Sequence, residues 1–363
     1  MVKKFILALV GISLSCGFVT ARDRDVFHLI YCSDVHYGLT RQFRGTETSA
    51  DSVSRAMLAA FRSLEKERLP RDGGVSAGEV FGTPDMVVCT GDIANRMEKG
   101  VQSATASWES FCRDWAAYSD RLYLVPGNHD ISNAIGYTKP MTPLKDATSA
   151  AGIYNRMMHP DTVVNARNFD YGLDKTHYSL VRNGIRMVFM GMWPDTLMRA
   201  WLDEELLRDN SLPTLIFTHD PPEADAKHFT NPNEGHGINS FDRFENLLAD
   251  TCCVRNIHSL PLENWRTLEH YLHDRPQIKA YFHGDCNYNE FYTWHGVDST
   301  IALPVFRVDS PMKGEYSAED ETLLSFIVVT IDTSRKILTA RECLWNVGSR
   351  PSIAWGSVVS VRL

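Results

Sequence analysis

Four short clusters of side chains that can hold divalent cations stand at the ends of apolar runs in this 363-residue chain. Ser33-Asp34-Val35-His36 closes the run that begins at Val26. Asp34 and His36 are two apart, so on an extended backbone they point the same way and form a metal-ligand pair. Thr90-Gly91-Asp92 closes a second run. Gly91 permits a sharp turn and close backbone approach, and Asp92 offers two oxygens able to bridge two cations. Pro126-Gly127-Asn128-His129-Asp130 closes a third, placing an amide oxygen, an imidazole and a carboxylate on one tight turn. Thr218-His219-Asp220-Pro221-Pro222 closes another, and its two prolines force an abrupt exit. Each cluster alone has a plainer reading: a surface turn for Asp34 and His36, a helix N-cap for Asn128 or Asp130, a structural histidine for His219. Met in this order, all at strand ends, they read as parts of one site.

The elements that must carry these clusters alternate between short β-type runs and amphipathic helices, which indicates a layered α/β chain. Strands are expected over about Val26–Ser33, Asp85–Thr90, Arg121–Val125, Tyr178–Val181, Arg186–Met192, Thr214–Thr218 and Ile278–His283. Val53, Met57, Phe61 and Leu64, at spacings of three and four, mark a helix over Ser49–Arg68. Further helices are expected over Ser103–Tyr118, Met198–Leu207 and Leu262–Asp274, while 131–170 and 221–245 read as irregular stretches. The end is all-β, with strands over Leu323–Ile331, Lys336–Trp345 and 352–363 completing a second sheet. No internal repeat, low-complexity tract or long linker breaks residues 22–363, which read as one domain.

Composition is that of a globular protein: 44% hydrophobic and 23% charged residues exclude disorder, collagen and a disulfide mini-scaffold. The formal net charge of −8 disfavours long nucleic acids and leaves small substrates as the expectation. Lys3 and Lys4 precede a run of apolar or small residues from Phe5 to Val19, and Val19-Thr20-Ala21 then offers small residues before Arg22. Residues 1–21 therefore read as a cleaved signal peptide, with export to the periplasm or the exterior. An uncleaved anchor, and a lipid attached at Cys16, are the alternatives. No later stretch is apolar and long enough to span a bilayer. Cleavage would remove Lys3, Lys4 and no acid, taking the net charge from −8 to −10, and would leave seven of the 8 cysteines. Cys32 and Cys89 read as inert core residues, and Cys252-Cys253 could offer one thiol to a distant partner.

The four clusters resemble the signature of the calcineurin-like metallophosphoesterase superfamily, in order and in their strand–cluster–helix setting, over roughly residues 26–345. The resemblance implies a four-layer αββα sandwich, two mixed sheets flanked by helices, with two divalent ions at the carboxyl ends of central strands. It implies that Asp34 and His36 hold the first ion, that Asp92 bridges both, and that Asn128 and His219 hold the second. His129 would face the leaving group or a phosphoryl oxygen, oriented by Asp130 or Asp92. The family's last motif is Gly-His-x-His, and here the chain departs, reading Gly284-Asp285-Cys286-Asn287. Aligned on Gly284, Asp285 and Asn287 take the places of the two imidazoles as oxygen ligands, unless His283 swings in instead. Oxygen donors favour Mn, Fe, Mg or Ca over Zn. The expected reaction is attack of a metal-bound hydroxide on a small phosphomonoester or phosphodiester. A weakly active or inactive ligand-binding protein on the same fold is the alternative.

Around that centre, Tyr137, Tyr154, Asn155, His228 and His236 are candidate substrate contacts, and Trp193, Tyr292 and Trp294 candidate stacking partners. Glu290 is a further candidate ligand. Core or surface roles are the plainer reading of each.

Overall fold

Runs such as Val26–Cys32 and Met86–Cys89 have no polar face, so each must be covered on both sides. The computed structural model, which describes residues 25–97, 100–135, 145–223, 261–348 and 352–363, does this with two six-stranded sheets packed face to face between helices. The first sheet runs, in spatial order, β14 (Ser352–Arg362), β13 (Ile337–Val347), β12 (Ser325–Asp332), β1 (Val26–Cys32), β4 (Met86–Cys89) and β5 (Leu122–Leu124). The second runs β10 (Glu290–Trp294), β11 (Leu303–Arg307), β9 (Ile278–His283), β8 (Thr214–Phe217), β7 (Ile185–Met190) and β6 (His177–Arg182). A hairpin, β2 (Thr40–Phe43) and β3 (Thr46–Ser49), stands apart.

The period of two along a strand sorts its side chains between the layers. In β1, Ile30 and Cys32 join the outer core under helices α1 (Ala50–Leu64) and α2 (Ala104–Asp114). Leu29 and Tyr31 point the other way, into the core between the sheets. There Phe189, Phe217, Phe282 and Phe306 stack across adjacent strands at 5.0, 4.6 and 4.7 Å, and Tyr31 meets Phe217 and Phe282 edge-on. The far face of the second sheet packs on α3 (Asn128–Ile135), α4 (Thr148–Met158), α5 (Thr196–Arg208) and α6 (Pro261–His273). This is the four-layer αββα arrangement expected from the sequence. Among the described residues no helix is long and apolar enough to cross a membrane.

The structure departs from expectation at four places. Residues 131–170 are not irregular throughout, because α4 lies within them. The hairpin of β2 and β3 was not foreseen. Neither were β10 and β11: Pro304 argues against a strand, yet it sits near the start of β11, and β11 pairs with β9 only from Val305 onward. The C-terminal strands do not complete the second sheet but join the first, β12 lying antiparallel beside β1. The expectations for residues 1–21, most of the 221–245 loop and Cys252-Cys253 lie outside the described residues. Cys32, Cys89, Cys112, Cys286 and Cys343 are free thiols.

Two parallel groups, β1–β4–β5 and β7–β8–β9–β11, place their carboxyl ends toward a common crevice, where ligands bind in open α/β sheets. The outer strands are fastened independently of that crevice. The guanidinium of the buried Arg341 donates to both oxygens of Asp72 at 2.7 and 2.9 Å and to Thr330 Oγ1 at 2.9 Å. These hydrogen bonds hold the Asp72 carboxyl below the usual carboxylate range, so the stability they confer is present at neutral pH and lost as pH falls below about 4. Asp72→Ala leaves the buried guanidinium unpaired and should cost about 3–5 kcal/mol at pH 7. Urea denaturation should show the gap to wild type narrowing by pH 3; a gap that is small at pH 7, or unchanged with pH, refutes the assignment.

Candidate metal centre

Past the ends of β1 and β4 the two exits stay zipped together. Thr90 N–H donates to Cys32 O at 3.2 Å, Asp34 N–H to Gly91 O at 3.0 Å, His36 N–H to Asp92 O at 2.9 Å and Tyr37 N–H to Ile93 O at 2.8 Å. Asp34 and His36 converge, although not through an extended backbone. Asp34 has φ 58° and His36 φ 40°, and Asp92, Asp285 and Asn287 are also left-handed, at 50°, 60° and 61°. Such conformations cost about 1–2 kcal/mol each outside glycine and concentrate where function holds them.

The side chains form two groups around Asp92. Its Oδ2 lies 3.6 Å from His36 Nε2 and 3.8 Å from His129 Nε2, and His36 Nε2 lies 3.7 Å from Asp34 Oδ1. Its Oδ1 lies 3.5 Å from His219 Nε2 and accepts the His129 N–H at 2.8 Å. His219 Nε2 is also 3.8 Å from Asp285 Oδ1 and 3.3 Å from Asn128 Oδ1. The Asp34, Asp92 and His219 ligand atoms fall within 4.8 Å of one another, as do those of His36, Asp92 and His129. His219, Asp220 and Asp285 form a third such group. The centre can hold one or two divalent ions.

Several features fit a cation there. Asp34 Oδ1, both ring nitrogens of His36 and Asn287 Oδ1 are buried atoms with no hydrogen-bond partner, an expense a folded protein rarely carries without a ligand. His219 Nδ1 lies 2.8 Å from Thr90 O, so it carries a proton and donates. A carbonyl on one ring nitrogen leaves the other to ligate, the usual outer arrangement of a metal-bound histidine. Protons otherwise balance the crowded charges. Burial lifts Asp92 to about 8, with Asp34 adding to it against the pull of His219. Burial works against a charged His219, and Asp92, Asp34 and Asp285 override it, raising that imidazole to about 10. Burial and Lys313 push His36 well below its ordinary value, which keeps it neutral.

Close backbone approach makes this density possible. A Cβ on Gly127 would lie 2.3 Å from Asp92 Oδ1 and 2.7 Å from His219 Cε1; one on Gly284 would lie 2.2 Å from Asp34 Oδ2 and from Ser33 Oγ. Each glycine thus makes room for ligands carried by other loops. The two sheets meet at the same point: Asp285 N–H donates to Asp34 Oδ2 at 3.1 Å, and the His219 ring to Thr90 O at 2.8 Å.

Asp130 and His283 are held by hydrogen bonds of their own. The Asp130 carboxylate accepts backbone N–H groups of Ile93 at 3.2 Å, Ala94 at 3.0 Å and Gly127 at 3.1 Å. It fastens the loop carrying Asp92 to the turn carrying Asn128 and His129. His283 does not swing in. It is buried, with Nδ1 2.9 Å from Gly284 O and Nε2 3.3 Å from Tyr292 OH, in a network with Glu223 and Arg307. Burial and Arg307 lower it to about 3.

Glu290 pairs with Arg307 at 2.8 Å. Trp193 is core, its Nε1–H donating to Pro221 O at 3.1 Å, and Trp294 is core as well. Tyr154 packs on Phe169, and Asn155 bonds both N–H and C=O of Val164. Tyr137, His228 and His236 lie outside the described residues. The sequence reading missed Asp220, whose only signal was adjacency to His219, and Lys313, which had none.

A family model described as calcineurin-like phosphoesterase matches residues 27–285. A dimetal phosphatase from Danio rerio is similar in structure, with a TM-score of 0.53 at 12% identity, over 93% of this chain and 98% of that one. A predicted phosphoesterase from Streptococcus pneumoniae aligns over 93% and 98% of the two chains at 8% identity, with a TM-score of 0.34. No curated protein matches the sequence.

Gly284→Ala should displace Asp34 and lower metal affinity by about 10–100-fold, the range of a disturbed outer shell. Asp130→Ala should do the same while also lowering the melting temperature, since three buried N–H groups lose their acceptor. Isothermal titration with Mn²⁺ measures both; wild-type affinity in Gly284→Ala would show that the Gly284 turn does not pack against the centre.

Proposed function

The chain belongs to the calcineurin-like phosphoesterase family, and on that premise we propose that it hydrolyses a phosphate ester at a two-metal centre. The observation that carries the proposal is Asp92, whose two oxygens face two different ligand groups. Asp34 and His36 would hold one ion with Asp92 Oδ2. Asn128, His219 and Asp285 would hold the other with Asp92 Oδ1, and Asn287 adds a buried oxygen without a partner on the same turn as Asp285. Bound ions would supply water activation at neutral pH and Lewis-acid neutralisation of phosphoryl charge.

The remaining chemistry falls to side chains. His129 is the more open of the histidines at the centre, with a side chain 12% exposed. Its Nδ1 accepts the Arg96 N–H at 3.3 Å, which turns Nε2 toward Asp92. From there it would stabilise a phosphoryl oxygen and, as imidazolium, give a proton to the leaving alkoxide.

Asp285 and Asn287, at the places of two family imidazoles, favour Mn, Fe, Mg or Ca over Zn. The acidic chain supports a small phosphorylated substrate. Residues 1–21 support export.

Hydrolysis of paired chromogenic phosphate monoester and diester substrates, with Mn²⁺ and a chelator control, tests the proposal. Asp92→Asn should lower turnover by more than about a hundredfold, beyond the loss of an outer partner, with the circular dichroism spectrum unchanged. Wild-type turnover in that variant removes Asp92 from the reaction. Asp285→His with Asn287→His should raise Zn²⁺ affinity relative to Mn²⁺; an unchanged ratio overturns the place given to those two residues.

A further inference from the structure

Between β11 and β12 the chain folds back over the metal centre and is tied to it at two points. The buried Ser310 hydroxyl donates to Asp34 O at 2.9 Å and accepts the N–H groups of Met312 at 3.2 Å and Lys313 at 2.9 Å. Further on, Glu315 N–H donates to Asn287 O at 2.7 Å. Between the two ties, Lys313 Nζ comes to 3.1 Å from His129 Nε2. The loop therefore forms a rim of the centre, and Tyr316 is the next residue after the second tie.

Two tyrosines make a corner on that rim. Tyr288 follows Asn287 and Tyr316 follows Glu315, so the bond between Asn287 and Glu315 brings the pair together. Their ring centroids lie 5.5 Å apart and their planes meet at 68°. Tyr288 is braced by Arg307, whose guanidinium lies over its ring at 4.3 Å and over that of Tyr292 at 5.0 Å. Arg307 is held in turn by Glu290 at 2.8 Å, and it ends β11 beside His283, the last residue of β9. Tyr316 is the open member of the pair. It is 54% exposed, and among the described residues no other Phe, Tyr or Trp stands so open. A flat group entering such a corner can stack on one ring while meeting the other edge-on, the arrangement aromatic rings prefer. A phosphoryl group held among the ligands sends its ester substituent outward, and past Asn287 that substituent meets these two rings.

We propose that Tyr288 and Tyr316 bind the leaving group, and that this group carries a flat aromatic ring, as in an aryl or a nucleoside ester of phosphate. This rests on the phosphoesterase reading above. A short polyol has no ring face to offer the corner.

The test uses the full chain loaded with Mn²⁺ and three esters of whichever class, mono- or diester, the chromogenic pair favours. Their leaving groups are phenol, adenosine and glycerol. Tyr316→Ala should lower kcat/KM for the phenyl or the adenosine ester by about tenfold more than for the glycerol ester, the size of one lost ring-on-ring stack. The difference should lie in KM. The ester with the larger loss identifies an aryl or a nucleoside group. Tyr316→Phe, which keeps the ring, should retain the wild-type preference. Metal content by elemental analysis should equal that of the wild type in both variants. An equal loss on all three esters at full metal content, or none, overturns the assignment and leaves the phosphoesterase reading intact. A loss in Tyr316→Phe as large as in Tyr316→Ala overturns stacking as its cause. Wild-type protein that takes up no metal and turns over no ester overturns the phosphoesterase reading, and this proposal with it.

Discussion

Like charges held close together away from water dominate this molecule. Asp34, Asp92 and Asp285 surround the His219 imidazole, and all four side chains are almost wholly removed from solvent. Left alone they would separate or take up protons, and the raised Asp34 and Asp92 show the second response. Much of the surrounding structure prevents the first. The zipped exits of β1 and β4 fix two of the carboxylates, Asp130 ties their loop to the third exit, and the glycines remove the bulk that would hold the ligands apart. Protons balance the crowded charges in this state, and a divalent cation would do so while leaving the carboxylates ionised.

Legibility in the sequence followed a simple physical division. The ligands sit at strand ends, and strand ends are where an apolar run stops, so Asp34, His36, Asp92, Asn128 and His219 stood out against their surroundings. The backbone that carries them did not. A spacing of two is the same string whether the chain is extended or left-handed, and Asp34 and His36 take the second form. Asp130 was visible as part of a dense cluster, but its work is to accept three N–H groups of the backbone, which no side-chain pattern announces.

The elements that were missed share a cause. Strand β11 carries Pro304, which local propensity counts against a strand, while its position and neighbours in the sheet decide otherwise. Helix α4 buries mainly small residues, Ala150 and Ala151 beside Ile153, so its apolar stripe is a weak signal, and its Gly152, whose Cβ would meet the Trp108 ring at 2.3 Å, marks close packing on α2. Lys313 lies far along the chain from every ligand cluster, in a loop of ordinary composition. Only the tie from Ser310 to Asp34 O brings it to the centre.

The ligands do not come from one sheet. Asp34, Asp92 and Asn128 follow strands of the first, His219 and Asp285 strands of the second, and the layer between the sheets is mostly apolar. Apolar contact resists separation but has little directional preference, so by itself it would let the layers shear. The centre sits on that seam and supplies direction, together with the Arg182–Asp85 pair and the Tyr178 hydroxyl donating to Leu124 O. It works as a mechanical gauge: any slip of one layer over the other changes the spacing between two halves of a coordination sphere by the same amount. The register of the two layers and the geometry available for chemistry are therefore coupled, and a change that shifts either layer can be felt where the two halves meet.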